Sequence, residues 1–112
     1  RINNLINQYG QKFINKILSI KEQKTLAKRQ NKVGYIAKRF AAKEAFAKAC
    51  GTGIRPPILM TKITISNDDM GKPYFIFDEE IINWLNEKQI ASCHLSMSDE
   101  INISSAFVIL EK

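Results

Sequence analysis

The chain has 112 residues and a formal net charge of +6, and 45% of its residues are hydrophobic, which is enough for one domain with a buried core. No apolar run approaches the ~20 residues of a membrane span. Cys50 and Cys93 lack the close spacing of a zinc site or a disulfide scaffold. Since Arg1-Ile2-Asn3-Asn4 is not the start of a signal peptide, we expect a cytoplasmic chain whose cysteines stay reduced and pack as small apolar side chains.

Basic residues are concentrated in the first half of the chain. Residues 1–55 contain thirteen lysines and arginines against two glutamates, a net charge of +11, whereas residues 56–112 have a net charge of −5. A cationic surface formed by the first half would attract a nucleic acid, an anionic lipid, an acidic protein or a nucleotide. Charge alone does not choose among these partners.

The first predicted helix is amphipathic. Apolar side chains recur at helical spacing from Ile2 to Ile17, and Gly10 is expected to bend or divide the helix. Lys12 and Lys16 lie on its polar side.

A second helix is predicted to begin at the capping box Ser19-Ile20-Lys21-Glu22 and to run toward Arg29. This region is densely basic. Solvated lysines are the ordinary interpretation, and contact of one or two cations with a nucleotide phosphate is the alternative. The cations concerned are Lys21, Lys24, Lys28, Arg29 and Lys32.

The stretch from Tyr35 to Ile54, YIAKRFAAKEAFAKACGTGI, predicts the central helix, because its six alanines are strong helix formers and Gly51 supplies the stop. Glu44 falls within an apolar stripe of this helix, so its carboxylate needs a partner. One partner is Lys48, four residues on. The other is a metal ion such as Mg²⁺, which is commonly held by one or two carboxylates and substrate phosphates.

Two further features of this stretch suit a phosphate. If Glu44 holds a metal, then Arg39, Lys43 and Lys48 are placed to face an anion. Gly51 and Gly53 are interpreted either as a helix C-cap with a tight exit turn or as positions where the backbone closely approaches a phosphate.

The second half of the chain predicts a hairpin and a short helix. Residues Lys62 to Ser66 alternate as a half-buried strand does, and Tyr74 to Phe77 is the expected partner. Asp78 is expected to cap a helix. The inward-facing side chains of that helix are predicted to be Ile81, Ile82 and Leu85.

A final pair of strands is predicted at Ala91 to Ser98 and Ile103 to Leu110, around a turn at Asp99 to Asn102. The order of helices, hairpin, helix and hairpin indicates an α+β fold. We expect a mostly antiparallel sheet packed against a long central helix and the N-terminal helices.

Seventeen consecutive residues, KRFAAKEAFAKACGTGI, resemble the signature of the holo-acyl-carrier-protein synthases, the short, trimer-forming branch of the 4′-phosphopantetheinyl transferases. The resemblance continues at Met70-Gly71-Lys72-Pro73-Tyr74 and at the stretch from His94 to Glu100, and it covers essentially the whole chain. It implies transfer of 4′-phosphopantetheine from coenzyme A to a serine of apo acyl carrier protein, with Mg²⁺, in fatty acid biosynthesis. It also implies a homotrimer with sites at subunit interfaces, and no nucleic-acid or membrane partner.

The resemblance assigns roles to individual residues. Glu44 would ligate Mg²⁺, and Glu44 and Lys48 would be catalytic. Coenzyme A would be bound by six residues, namely Arg39, Lys43, Lys48, Gly51, Gly53 and Ser96. Acyl carrier protein would be bound by Arg1, Lys12 and Lys16.

The chain departs from the family pattern in two places. The family's second metal-binding carboxylate lies in an N-terminal strand of the form GxD, which is absent here, and we expect that strand to precede this numbering. Many members place a histidine after the S-x-S of the closing strand, where this chain has Asp99. His94, the only histidine of the sequence, is expected to be a packed or hydrogen-bonded side chain rather than a catalyst.

Two other classes of function remain open at this stage. A noncatalytic remnant that binds acyl carrier protein would explain the absence of the GxD strand. A basic nucleic-acid-binding module would explain the charge of the first half, although the sequence has neither an aromatic-interleaved basic strand nor zinc-ligand spacing.

Overall fold

The computed structural model describes the backbone of residues 2–100 and 103–112, and the side chains of residues 2–98 and 105–112. Arg1 and residues 101–102 of the predicted final turn lie outside this part of the chain. Helices make up most of the first half and two hairpins most of the second.

Three short helices come first. α1 spans Ile2–Tyr9 and α2 spans Gln11–Ile17, and Gly10 divides them with a φ of 55°, in the left-handed region that favours glycine. α3 spans Ile20–Leu26 and ends short of the predicted Arg29. Its predicted capping box is confirmed, since the side chain and backbone N–H of residue 19 both bond to Glu22.

The long helix α4 spans Lys32–Cys50 and begins three residues before the predicted start. The reason is a cap that the sequence analysis did not include: the Asn31 side chain accepts a hydrogen bond from the Gly34 N–H at 2.9 Å. The end of α4 is as predicted, because Gly51 adopts a φ of 79° and its N–H bonds to the Lys48 carbonyl.

Two antiparallel hairpins follow α4. A 3₁₀ turn at Met60–Lys62 leads into β1 (Ile63–Asn67), which pairs with β2 (Pro73–Phe77). After α5 (Glu79–Glu87), β3 (Ser92–Glu100) pairs with β4 (Ile103–Glu111). Within the described residues these strands form two separate two-stranded sheets. The predicted α+β class, with antiparallel strands against a central helix, is confirmed.

The core lies on one side of α4 along the whole length of the helix. Its N-terminal half packs against α2 and α3 through Tyr35 and Ile36. Its C-terminal half packs against the hairpins and α5, around Phe46. Of the predicted inward residues of α5, Ile81 and Leu85 are buried, but Ile82 is 45% exposed and that prediction is wrong. Ile82 lies about 100° around the helix from Ile81 and so faces away from the core.

Candidate active site

Lys43 is buried at the centre of the molecule, which contradicts its predicted contact with a phosphate. Its Nζ donates to the carbonyls of Ile17 at 2.7 Å and Met60 at 2.9 Å, and it forms an ion pair with Glu22 at 2.5 Å. Because an ammonium group has three donors, none is left for a ligand. The apolar pattern of α4 predicts Glu44 rather than Lys43 in the buried stripe, and this prediction is wrong.

Glu22 completes this internal network. One carboxylate oxygen accepts from Lys43 and from the Ser19 N–H, and the other accepts from the Ile65 N–H at 2.9 Å. Burial lowers the pKa of Lys43 to about 8; the charge and hydrogen bond of Glu22 oppose this effect, and Arg39 adds to it.

Arg39 is the buried cation of α4 that retains a donor for a ligand. Its side chain is 8% exposed, and its guanidinium carbon lies 3.8 Å from the centre of the Tyr35 ring. Arg29 approaches the same ring at 5.3 Å. The Nε of Arg39 is buried and has no hydrogen-bond partner in the described part of the chain. A buried donor without an acceptor costs about 1–3 kcal/mol unless a ligand or water pairs with it.

Two clefts meet at Arg39, Arg29 and Tyr35. The first has a volume of about 230 Å³ and is also lined by Lys21 and by the β1 residues from Thr64 to Asn67. The second has a volume of about 370 Å³. Its further lining residues include the cations Lys28 and Lys38. Cations on several walls give this region the charge that phosphate groups require.

Glu44 lies elsewhere on α4 and is half-buried. No hydrogen bond or ion pair joins its carboxylate to any described residue, so the predicted pair with Lys48 does not form. Lys48 is exposed in the last turn of the helix. A carboxylate available beside an exposed cation can bind a divalent ion that a phosphate group shares.

Within the described residues, Glu44 has no companion carboxylates of the kind that build a complete metal site. No three histidine, cysteine, aspartate or glutamate side chains are grouped there. The arrangement therefore fits Mg²⁺ held by one protein carboxylate together with ligands from elsewhere, including substrate phosphates.

Gly51 and Gly53 form an exit turn with open space around it. Their φ angles are 79° and 67°, which side-chain-bearing residues rarely adopt. A Cβ atom added at either position would meet no atom within 4 Å. These positive φ angles explain why glycine occupies both positions. The open space leaves room for a ligand beside the backbone.

The outer face of the β3–β4 hairpin combines Ser96 with exposed apolar side chains. Ser96 is exposed and lies opposite Phe107 in the register, and His94 lies opposite Ile109. Phe107 is 75% exposed and Ile109 is 61% exposed. His94 is exposed, and its Nε2 lies 2.5 Å from a carboxylate oxygen of Glu111, which forms an ion pair when the imidazole is protonated.

Lys12 and Lys16 are exposed on α2, where a partner can reach them. Arg1, the third residue assigned to carrier-protein binding, lies outside the described residues. Within those residues, every helix is too short or too polar to span a bilayer.

The structure does not bring all the predicted site residues together in one chain. Arg39 and Glu44 are five residues apart on α4, which corresponds to about 140° around the helix axis. Glu44 lines neither of the two clefts. The cationic clefts and the available carboxylate therefore lie on different sides of α4.

Tyr35 and Arg29 are contributors to the clefts that the sequence analysis did not place at the site. Tyr35 precedes Arg39 by four residues on the same helix, and this spacing is a signal from which their contact could have been predicted. Arg29 was included only as one of several basic residues with a possible phosphate contact.

Comparison with known proteins agrees with this architecture. The sequence profile of the 4′-phosphopantetheinyl transferase superfamily matches residues 1–104. The holo-[acyl-carrier-protein] synthase of Nitrosomonas eutropha is 45% identical over 112 residues, which are 100% of this chain and 90% of that protein.

Solved structures give the same result. The crystal structure of holo-[acyl-carrier-protein] synthase from Neisseria meningitidis superimposes with a TM-score of 0.97 at 46% identity, covering 100% of this chain and 90% of that one. The Helicobacter pylori enzyme, in complex with coenzyme A, superimposes with a TM-score of 0.84 at 28% identity, covering 99% and 91%. The chain therefore belongs to the 4′-phosphopantetheinyl transferase superfamily, and its relatives there are holo-acyl-carrier-protein synthases.

Proposed function

We propose that this protein transfers the 4′-phosphopantetheine group from coenzyme A to a serine of apo acyl carrier protein, as a step of fatty acid biosynthesis in the cytoplasm. The serine hydroxyl releases its proton to water, and its oxygen bonds to the phosphorus that bears the pantetheine. The pyrophosphate P–O bond breaks, adenosine 3′,5′-bisphosphate leaves, and holo acyl carrier protein is formed. The observation that carries the proposal is Arg39, a largely buried cation that lines a cleft together with Lys21 and Arg29 and whose Nε has no hydrogen-bond partner among the described residues.

The cationic clefts are suited to the phosphate groups of coenzyme A. Arg39 is held by Tyr35, while Arg29 and Lys21 supply charge from neighbouring walls. Lys43 is left out of this set, because Glu22 and two carbonyls use all of its donors. We also propose the predicted contacts of coenzyme A with Ser96, Gly51 and Gly53.

Glu44 and Lys48 act at the pyrophosphate. Glu44 would hold Mg²⁺ through its carboxylate, which forms no hydrogen bond or ion pair with any described residue. When bound, the ion neutralises charge on the pyrophosphate oxygens. Lys48 lies one turn further along α4 and stabilises the charge that develops on the leaving group. The second carboxylate is expected from the family's N-terminal GxD strand.

Acyl carrier protein would dock on the N-terminal helices. Lys12 and Lys16 are exposed on α2 and present positive charge to an acidic partner. Arg1 belongs to the same proposed surface on the basis of the family resemblance.

A homotrimer would complete the site. The exposed Phe107 and Ile109 on the outer face of β3–β4 are suited to burial against a second copy. Because Arg39 and Glu44 point to different faces of α4, we propose that coenzyme A lies between two subunits. One subunit would supply Glu44 and Lys48, and its neighbour would supply the Arg39 clefts.

The test is transfer by the full-length protein, measured as the mass gain of apo acyl carrier protein on addition of coenzyme A and Mg²⁺. We expect the Glu44→Ala variant to lose at least about 100-fold in rate, the magnitude of removing a group that stabilises transition-state charge. Glu87→Ala, which removes an exposed carboxylate on α5, is the matched control and should keep its rate. Wild-type transfer that survives Glu44→Ala would show that the metal assignment is wrong. Binding of coenzyme A without any transfer would instead favour the noncatalytic remnant.

A further inference from the structure

The ion pair between Lys43 and Glu22 ties α4 to the rest of the molecule. Lys43 bonds to the last residue of α2, Ile17, and to Met60 in the 3₁₀ turn before β1. Glu22 lies in α3 and also accepts the Ile65 N–H of β1. The two side chains are 0% and 1% exposed. Four parts of the chain are therefore held to α4 through a single buried pair.

A buried ion pair is a poor choice if stability alone is needed. Desolvation of two charges offsets much of their attraction, and well-packed apolar side chains at the same place are often equally stable or more so. However, the hydrogen bonds of such a pair are directional, so they specify one arrangement of the elements that the pair joins. On the buried face of α4 the neighbours of Lys43 include the small side chains of Ala42 and Ala47. Small side chains restrict helix rotation weakly, so the bonds of Lys43 add a directional constraint at this point of the helix.

The orientation of Glu44 depends on this rotation. Glu44 follows Lys43 in the sequence and projects about 100° further around the helix axis. A rotation of α4 by about 20° would move a carboxylate that lies about 6 Å from the axis by about 2 Å. That displacement equals a complete Mg–O bond length of about 2.0–2.1 Å, and Mg²⁺ requires near-ideal octahedral geometry.

We infer that the Glu22–Lys43 pair is a positioning device that fixes the rotation of α4 so that the Glu44 carboxylate meets the metal and the pyrophosphate. Both side chains bond to groups inside the protein, so we assign them as positioning residues. The inference rests on the proposed function, since it requires Glu44 to be a metal ligand.

The test measures metal binding directly, using Mn²⁺ as the probe. The full-length protein is saturated with coenzyme A, and bound Mn²⁺ is measured by electron paramagnetic resonance. Lys43→Arg keeps the charge but changes the length and shape of the side chain, and Glu22→Gln keeps the shape but removes the charge. We expect the Mn²⁺ dissociation constant to rise about 10-fold in each variant, as for other groups that orient a metal ligand. In Lys43→Arg the affinity for coenzyme A without metal should change less than about twofold, because Lys43 lines neither of the Arg39 clefts.

The control separates positioning from stability. Leu85→Ala removes a buried side chain of α5 that is not part of the pair, and it should lower the melting temperature while leaving Mn²⁺ affinity unchanged. All proteins are compared at a temperature where circular dichroism shows them folded.

The possible outcomes distinguish this inference from the proposed function. Unchanged Mn²⁺ affinity in a folded Lys43→Arg or Glu22→Gln variant would overturn the inference and leave the proposed function intact. An equal loss of affinity in Leu85→Ala, or failure of both pair variants to fold, would also overturn it, because stability alone would then explain the pair. A wild-type complex that binds no Mn²⁺ would refute both the metal role of Glu44 and the inference built on it.

Discussion

Arg39 stacks on Tyr35, with its guanidinium carbon 3.8 Å from the centre of the ring. Arg29 approaches the same ring at 5.3 Å, and the Tyr35 hydroxyl donates to the Glu22 carbonyl at 3.4 Å. Tyr35 therefore holds two cations near each other while its own position is fixed by α3. This contact lowers the cost of keeping Arg39 buried before a phosphate arrives.

Replacing Tyr35 by leucine should weaken coenzyme A binding, because Arg39 would lose the ring that orients it. A desolvated cation–π contact is worth about 1–2 kcal/mol, so we expect a loss of roughly 5- to 30-fold in affinity. Isothermal calorimetry without metal measures it. Tyr35→Phe retains the ring and should change the affinity less than about twofold. An equal loss in the phenylalanine variant would show that the hydroxyl, not the stack, is responsible.

A site shared between subunits predicts complementation. Glu44→Ala and Arg39→Ala should each be inactive as pure proteins, because every interface then lacks one of the two groups. When the two variants are unfolded, mixed in equal amounts and refolded together, about a quarter of the interfaces should regain both groups. Transfer activity should then recover to about a quarter of the wild-type value.

The control for complementation is a variant that carries both substitutions on one chain, mixed with the Glu44→Ala protein. No interface in that mixture combines an intact Glu44 with an intact Arg39, so no activity should return. If the first mixture also stays inactive while native mass spectrometry shows mixed trimers, the site is contained within one subunit.

Local signals in the sequence account for most of the backbone. The capping box at Ser19, the division at Gly10 and the helix end at Gly51 are each decided by a few neighbouring residues, and the structure confirms all three. Such features depend on hydrogen bonds between residues close in the chain, or on the conformational freedom of glycine.

The buried face of α4 was harder to predict. Alanine side chains occur on most sides of the helix, so the apolar pattern does not define a direction. The apolar pattern therefore predicts an inward Glu44, whereas the structure buries Lys43. The partners of Lys43 lie 17 to 26 residues away in the sequence, and a contact at that separation leaves no trace in local periodicity.

Substitution of Gly51 can separate the role of the helix cap from that of a ligand contact. Alanine at a φ of 79° should lower the free energy of unfolding by about 1–2 kcal/mol, whereas asparagine tolerates this conformation better. Because the proposal places coenzyme A beside this backbone, we expect Gly51→Asn to stay stable and to lose affinity for coenzyme A. Thermal denaturation and calorimetry measure the two quantities. Unchanged affinity in Gly51→Asn would mean that Gly51 is only a cap.

The two cysteines should be unreactive in the folded protein. Both are free and pack against the core around Phe46. Burial raises the pKa of Cys50 to about 12, with a further contribution from Cys93, and burial raises the pKa of Cys93 to about 11. Because the thiolate is the reactive form, we expect alkylation by iodoacetamide at pH 8 to be about 100-fold slower in the native protein than in urea.

The same thiols should make stability fall at high pH. Their pKa in the unfolded chain is near 9.0, so above that pH the unfolded state loses protons that the folded state keeps. The contribution of the two thiols to the free energy of unfolding should therefore be constant below pH 9. It should decrease as the pH rises through 9 toward 11. Urea unfolding between pH 8 and pH 10 measures the slope, and a Cys50→Ala/Cys93→Ala variant should show a shallower one. Rapid alkylation of the native protein, or an identical slope in that variant, would show that the thiols are not buried as described.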